Sequence, residues 1–178
     1  MDIEFALAVA AFVASVLMPF VVEAFERPRL EIVSSQWTPA RPASWAFATV
    51  QICNKPLAGP LARLLTRQAA QGCVIDIDYF RWGTDERVMP TVHGHRYRDI
   101  PASSTGEEVA VAVLGGGAAF AYSSEIYAYK AFGHPVWRLD RGTYRIAVRV
   151  RGSSVDHRQF FKLEYLSDDF TRFRLEII

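Results

Sequence analysis

The sequence predicts a mainly β protein: an antiparallel β-sandwich over residues 27–178, carried on one transmembrane helix within residues 1–26. Three observations lead there. Phe5 to Val22, FALAVAAFVASVLMPFVV, is a run of eighteen residues without a charge. Past Glu26, apolar and polar residues alternate with a period of two, the pattern of half-buried strands. The alternating segments are short, bounded by Gly, Pro, Asn and Asp, and interrupted by a single stretch with helical spacing.

As a helix, the opening run rises about 27 Å, close to the ~30 Å hydrocarbon thickness of a bilayer. Glu4 and Glu23 bracket it, and Pro19 lies near its far end. Two rival readings stand beside a retained anchor. A cleaved secretion signal would use Val22-Glu23-Ala24 as a small-x-small site, although the basic n-region is missing. A buried core helix would carry a polar face, and Ser15 is the one polar side chain in the run. Arg27, Arg29 and Arg41 follow the span while no Lys or Arg precedes it, so the positive-inside rule places the large domain in the cytoplasm. Projected on a helix, Ala6, Ala10 and Ala14 form one strip, with Phe5, Val9, Phe12, Val13, Val16 and Phe20 opposite. Small residues at this spacing let a second helix approach closely in lipid, which makes other integral membrane subunits the expected partners.

The strands follow in order. Leu30–Val33 begins the alternation, and Trp45–Cys53 ends at the turn signal Asn54-Lys55-Pro56. Cys73–Phe80 and Glu108–Val113 alternate cleanly. Gly142–Val150 is the clearest, with Tyr144, Ile146, Val148 and Val150 turned inward and Arg145, Arg149 and Arg151 outward. Phe160–Tyr165 and Phe170–Ile178 close the chain. Seven strands with few helices predict two packed sheets.

Residues 60–71 depart from this pattern. Leu61, Leu64 and Leu65 stand at helical spacing, with Arg63 and Arg67 four apart and Gly72 closing the segment. The spacing predicts a short helix bridging two strands with its leucines on the sandwich. The functional alternative is a basic amphipathic segment facing lipid headgroups or a partner.

Net charge is +1, which excludes a dedicated nucleic-acid binder. The balance conceals an asymmetry: residues 1–26 hold four acids and no Lys or Arg, whereas Arg27 to Ile100 holds ten bases against six acids. Cys53 and Cys73 are too few for a disulfide framework and read as small core residues, a single bridge between them being the open alternative.

The succession RPRLEI after a hydrophobic span, then VQICNKP, RQAAQGCVIDIDYFRW, RDIP and GTYRIAVRV, resembles small membrane-anchored, immunoglobulin-like β-sandwich proteins of bacteria and archaea. Tyr144, two residues after Gly142, is similar to the strand start common in such folds. The immunoglobulin disulfide spacing is absent. The resemblance implies an immunoglobulin-like fold and a membrane setting, and transfers no catalytic residue.

Candidate chemistry is sparse. His93 and His95, with Asp99 four residues on, put two imidazoles on one strand face beside a carboxylate, as a metal site would. The arrangement resembles part of a cupin metal motif, ending at Gly106 but without the leading Gly or a second half. Asp76 and Asp78 share a strand face and read as a solvated exterior. Gly115-Gly116-Gly117 reads as a hairpin turn, since no Lys-Ser/Thr follows to make a phosphate loop. Ser153, Ser154, Asp156 and His157 read as a turn. Arg81-Trp82 and Trp137-Arg138 pair guanidinium groups with indoles, the residue types enriched at partner hot spots.

The expected function is therefore a non-catalytic accessory or assembly subunit of a larger membrane complex, for instance a respiratory or photosynthetic one. No cofactor is expected, and the bilayer and neighbouring membrane subunits are its partners. An exported β-sandwich that binds a ligand or surface is the alternative; a metal-dependent enzyme at His93 and His95 is the second.

Overall fold

The computed structural model describes residues 3–37, 45–94, 98–103, 105–123 and 134–178. The chain is mainly β, with two antiparallel sheets and one N-terminal apolar helix. Helix α1 (Ile3–Glu26) is 24 residues long, about 36 Å at 1.5 Å per residue. None of its residues is buried. That outcome removes the buried-core reading: the helix is long and apolar enough to cross a membrane, a property shared by membrane spans and secretion signals. Ser15 turns its hydroxyl back onto the Phe12 carbonyl at 2.7 Å, so the one polar side chain of the run is satisfied within the helix.

The strands are β1 (Leu30–Trp37), β2 (Trp45–Asn54), β3 (Ala70–Arg81), β4 (Val92–His93), β5 (Arg98–Ile100) and β6 (Glu107–Gly115). They continue with β7 (Ala118–Ala121), β8 (Arg138–Leu139), β9 (Gly142–Arg151), β10 (Asp156–Tyr165) and β11 (Phe173–Ile177). The first sheet runs β1-β2-β6-β7-β8 and the second β11-β10-β9-β3-β4, with β5 also pairing β3. The seven predicted strands form, the last one shortened: Phe170–Arg172 makes a 3-10 turn and the strand begins at Phe173. The β6–β7 hairpin closes through Gly116 and Gly117 at φ 61° and 78°, a two-residue turn that needs positive φ at both positions.

One apolar core lies between the sheets. It takes Ile32, Val50 and Ile52 from the first and Ile75, Ile77, Tyr79, Ile146, Val148, Phe161 and Leu163 from the second. Each such side chain contributes roughly 1.5–3 kcal/mol on burial. Tyr79 crosses the core and donates its hydroxyl to the Val111 carbonyl on the facing sheet; burial pushes its pKa up. Cys53 and Cys73 are free and buried, and burial raises both thiol pKa values.

The register fixes two ends. Leu30 lies opposite Asn54 and Ile52 opposite Glu107, next to the exit of α1. Trp45 opposite Gly115 and Arg81 opposite Tyr144 mark the other end. The 12 residues of β3 separate the ends by about 40 Å at 3.3 Å per residue.

Asn54 ties the helix exit to the sheets. It is fully buried; its Oδ1 accepts from the Arg29 amide at 3.0 Å, and its Nδ2 donates to the carbonyls of Gln68 at 2.9 Å and Ile100 at 3.2 Å. The Gln68 amide in turn donates to the Glu26 carbonyl at 2.8 Å. These bonds explain why residues 60–71 do not form the predicted helix. The segment folds as a 3-10 turn over Gly59–Arg63 and then runs without regular structure to the start of β3 at Ala70. A helix this short is marginal by itself, and Gln68 gives its amide and carbonyl to Glu26 and Asn54 instead of to helical neighbours. Leu64 is not packed on the sandwich but is 81% exposed.

Candidate functional site

The helix-distal end holds a cavity of about 450 Å³. One wall comes from the end of β3 and the turn after it: Arg81, Trp82, Glu86 and Arg87. The other comes from β8 and the start of β9: Arg138, Asp140, Arg141 and Tyr144. Local chemistry sets each wall. Gly83 adopts φ 75°, Thr84 N donates to the Arg81 carbonyl at 3.2 Å, and Arg81 N to the Glu86 carbonyl at 2.9 Å, folding residues 82–86 back on β3. On the facing wall the Tyr144 hydroxyl donates to the Asp140 carbonyl at 2.6 Å, and Leu139 is buried beneath. The walls meet where the Trp82 amide donates to the Thr143 carbonyl at 3.3 Å.

Four arginines against two carboxylates line this cavity. Arg81 pairs with Glu86 at 3.1 Å, Arg87 with Asp78 at 3.2 Å and Arg141 with Asp168 at 2.7 Å. Arg138 is exposed and makes no ion pair among the described residues. Tyr165 donates to the other oxygen of Asp168 at 2.8 Å; that bond, with the Arg141 contact, holds the Asp168 carboxyl below its ordinary range. Trp82 leaves 43% of its surface exposed, with Lys162 Nζ 5.5 Å from its ring centroid. On the adjoining outer face of the second sheet, the Arg145 guanidinium lies over Phe80 at 5.0 Å and Phe160 at 5.5 Å, while Arg158 lies over Phe160 at 4.6 Å. Guanidinium forks and indole faces of this kind recognise carboxylates, phosphates and aromatic side chains.

The structure brings Arg81, Trp82 and Arg138 together on this cavity. Trp137 sits beside it in the 3-10 turn Pro135–Trp137 but packs partly against the core. Arg63 and Arg67 lie at the opposite end, in the segment joined to the exit of α1.

Of the metal constellation, the two described members, His93 and Asp99, are held apart by different partners. His93 Nδ1 lies 2.7 Å from Asp76 Oδ1, because β4 sets His93 opposite Asp76. Asp99 accepts from the Gly72 amide at 2.8 Å, some four residues, or about 13 Å, further along β3. His95 and Arg41 lie outside the described residues. Among the described residues no group of three metal-ligating side chains converges. Asp76 also departs from the solvated exterior expected of it: it is buried, and Arg151 Nε donates to it at 3.0 Å. Neither this pairing nor the Asn54 clamp had a local signal, because both join segments far apart in the chain.

A second cavity, about 640 Å³, lies at the helix-proximal end between β1 and the β9–β10 turn, with Arg29, Glu31, Lys55 and His157 on its walls. Its charges are partly spent: Lys55 pairs with Glu31 at 2.7 Å, and Asp156 is taken by Arg149. Comparison with family models, curated proteins and solved structures gives no match.

Proposed function

We propose that this chain is a membrane-anchored β-sandwich of immunoglobulin type that serves as a non-catalytic accessory subunit of a larger membrane complex. One observation carries the reading: a 24-residue apolar helix on which no residue is buried, joined to the folded domain through its last residue, Glu26. Apolar surface of that extent is stable only when another apolar phase covers it, and a bilayer is the phase its length fits. Two features support the fold assignment. The neighbours β1-β2-β6 and β4-β3-β9-β10 follow the interleaving of strands A-B-E and C′-C-F-G in immunoglobulin domains, and the Tyr144 bond to Asp140 at the start of β9 has the form of a tyrosine corner.

In this reading α1 stands in the membrane, with the domain on the side of Arg27 and Arg29, the cytoplasm. The Arg-Trp cavity then sits at the far end of β3, up to about 40 Å from the bilayer surface, and takes the partner. Mild-detergent extraction followed by purification tests this. A partner subunit that stays with the native chain and is lost from Trp82→Ala and Arg138→Glu variants supports the reading. Equal retention in all three removes the cavity from the interaction.

A further inference from the structure

We propose that residues 55–69 form a second membrane contact: Leu64 enters the interfacial layer of the bilayer while Arg63 and Arg67 meet anionic lipid headgroups. The inference rests on the anchor reading above and deepens it. Three observations carry it. First, the segment is held at the level of the bilayer surface. Val22, the last residue of the uncharged run, and Glu26 are four helical residues apart, about 6 Å, and the headgroup layer beyond the hydrocarbon is about 5–8 Å thick. The Gln68 amide bonds the Glu26 carbonyl at 2.8 Å, so the segment is pinned within that layer. Leu64, four residues from Gln68, is within about 14 Å of the same point.

Second, Leu64 is 81% exposed, more than any other large apolar side chain among the described residues, those of α1 included. The predicted role of this leucine, covering the sandwich, is thus unfilled, and water is its least favourable surrounding.

Third, the charge is one-sided. Between residues 55 and 69 stand Lys55, Arg63 and Arg67 and no acid. Lys55 is neutralised by Glu31, but among the described residues Arg29, Arg63 and Arg67 make no ion pair; Arg63 is exposed, while Arg67 is half-buried with its Nε enclosed and without a hydrogen-bond partner. Short loops that combine an exposed leucine with unpaired arginines suit a negatively charged headgroup layer, which the cytoplasmic leaflet supplies. The segment is too short to hold a protein on a membrane alone. Beside an inserted helix it needs only to fix how the domain sits.

The test places single-cysteine probes in the full-length chain, Leu64→Cys and, at the distal end after β10, Leu166→Cys. Both positions are exposed, so neither change threatens folding, and the buried Cys53 and Cys73 leave labelling to the new thiol. Each variant carries an environment-sensitive fluorophore and is reconstituted in phosphatidylcholine vesicles with and without phosphatidylglycerol. The expected result is a blue-shifted probe at 64, quenched by nitroxide-labelled lipid and more strongly so with phosphatidylglycerol, beside a probe at 166 that is neither. Replacing Arg63 and Arg67 by Gln should abolish the dependence on phosphatidylglycerol. A chain retained in the vesicles whose probe at 64 behaves like that at 166 overturns the second contact and leaves the anchor standing. Quenching indifferent to headgroup charge overturns the role given to the arginines. Protection of position 64 in native membranes but not in vesicles assigns the loop to a protein partner instead. A chain that does not enter vesicles overturns both readings together.

Discussion

Replacing Asn54 tests the joint between helix and domain. Its side chain makes three hydrogen bonds, to Arg29, Gln68 and Ile100, in a site closed to water. Asn54→Ala leaves one amide and two carbonyls without these partners. At about 1 kcal/mol net per bond, the loss is about 3 kcal/mol. For a domain of this size that lowers Tm by about 6–12 °C. Asn54→Asp separates the polar contribution from the shape. It keeps the acceptor for Arg29 but turns a second oxygen against two carbonyls, so burial and repulsion should raise the folded-state carboxyl pKa. A raised pKa means the penalty is absent below the unfolded value near 3.9 and grows as pH rises above it. Denaturant unfolding in detergent, followed by tryptophan fluorescence, should show the Asp variant less stable than Ala at pH 7 and recovering toward pH 4. An Asn54→Ala cost under about 0.5 kcal/mol would refute the clamp, since a surface position would give that value.

Three further outcomes follow from other parts of the fold. Gly115→Ala should destabilise by about 1–3 kcal/mol, because overpacked positions distort their neighbours; an added Cβ there lies 2.2 Å from the Trp45 ring, and an unchanged unfolding midpoint would contradict the packing. The Asp168 carboxyl is held low by Tyr165 and Arg141, so its stabilisation is complete above the ordinary Asp range, near pH 4, and is lost as pH falls through the lower folded value. Asp168→Asn should therefore flatten the acid limb of the stability profile, and an unaltered limb would argue against the contact. Ala10→Leu should reduce retention of the chain in its complex through detergent purification if the Ala6, Ala10, Ala14 strip packs on another helix, whereas Val9→Leu should not; equal retention would mean the strip meets only lipid.

The parts of the fold legible in the sequence are those whose signal is local. Gly142–Arg151 alternates over 10 residues, and its inward Ile146, Val148 and Val150 are buried as the pattern requires. Strands β4 and β8 are two residues each, too short to show any period, and exist because a neighbour pairs them. The segment at 60–71 was misleading because Leu61, Leu64 and Leu65 satisfy helical spacing, while the bonds that decide its path run to Glu26 and Asn54. Arg81-Trp82 and Trp137-Arg138 were visible as separate dipeptides. That three of the four line one cavity follows from the β3–β9 pairing, which sets Arg81 opposite Tyr144 and has no counterpart in local sequence. His93 shows the converse: an apparent metal ligand becomes the partner of Asp76 once β4 docks on β3.

The central claim is that α1 remains in the mature protein as a membrane anchor, and alkaline extraction of native membranes combined with intact-mass measurement tests it most directly. The account predicts a chain that stays in the membrane fraction at high pH and whose mass includes residues 3–26. A chain released by alkaline wash, or a mature form beginning after Ala24, would contradict it and turn the helix into an export signal.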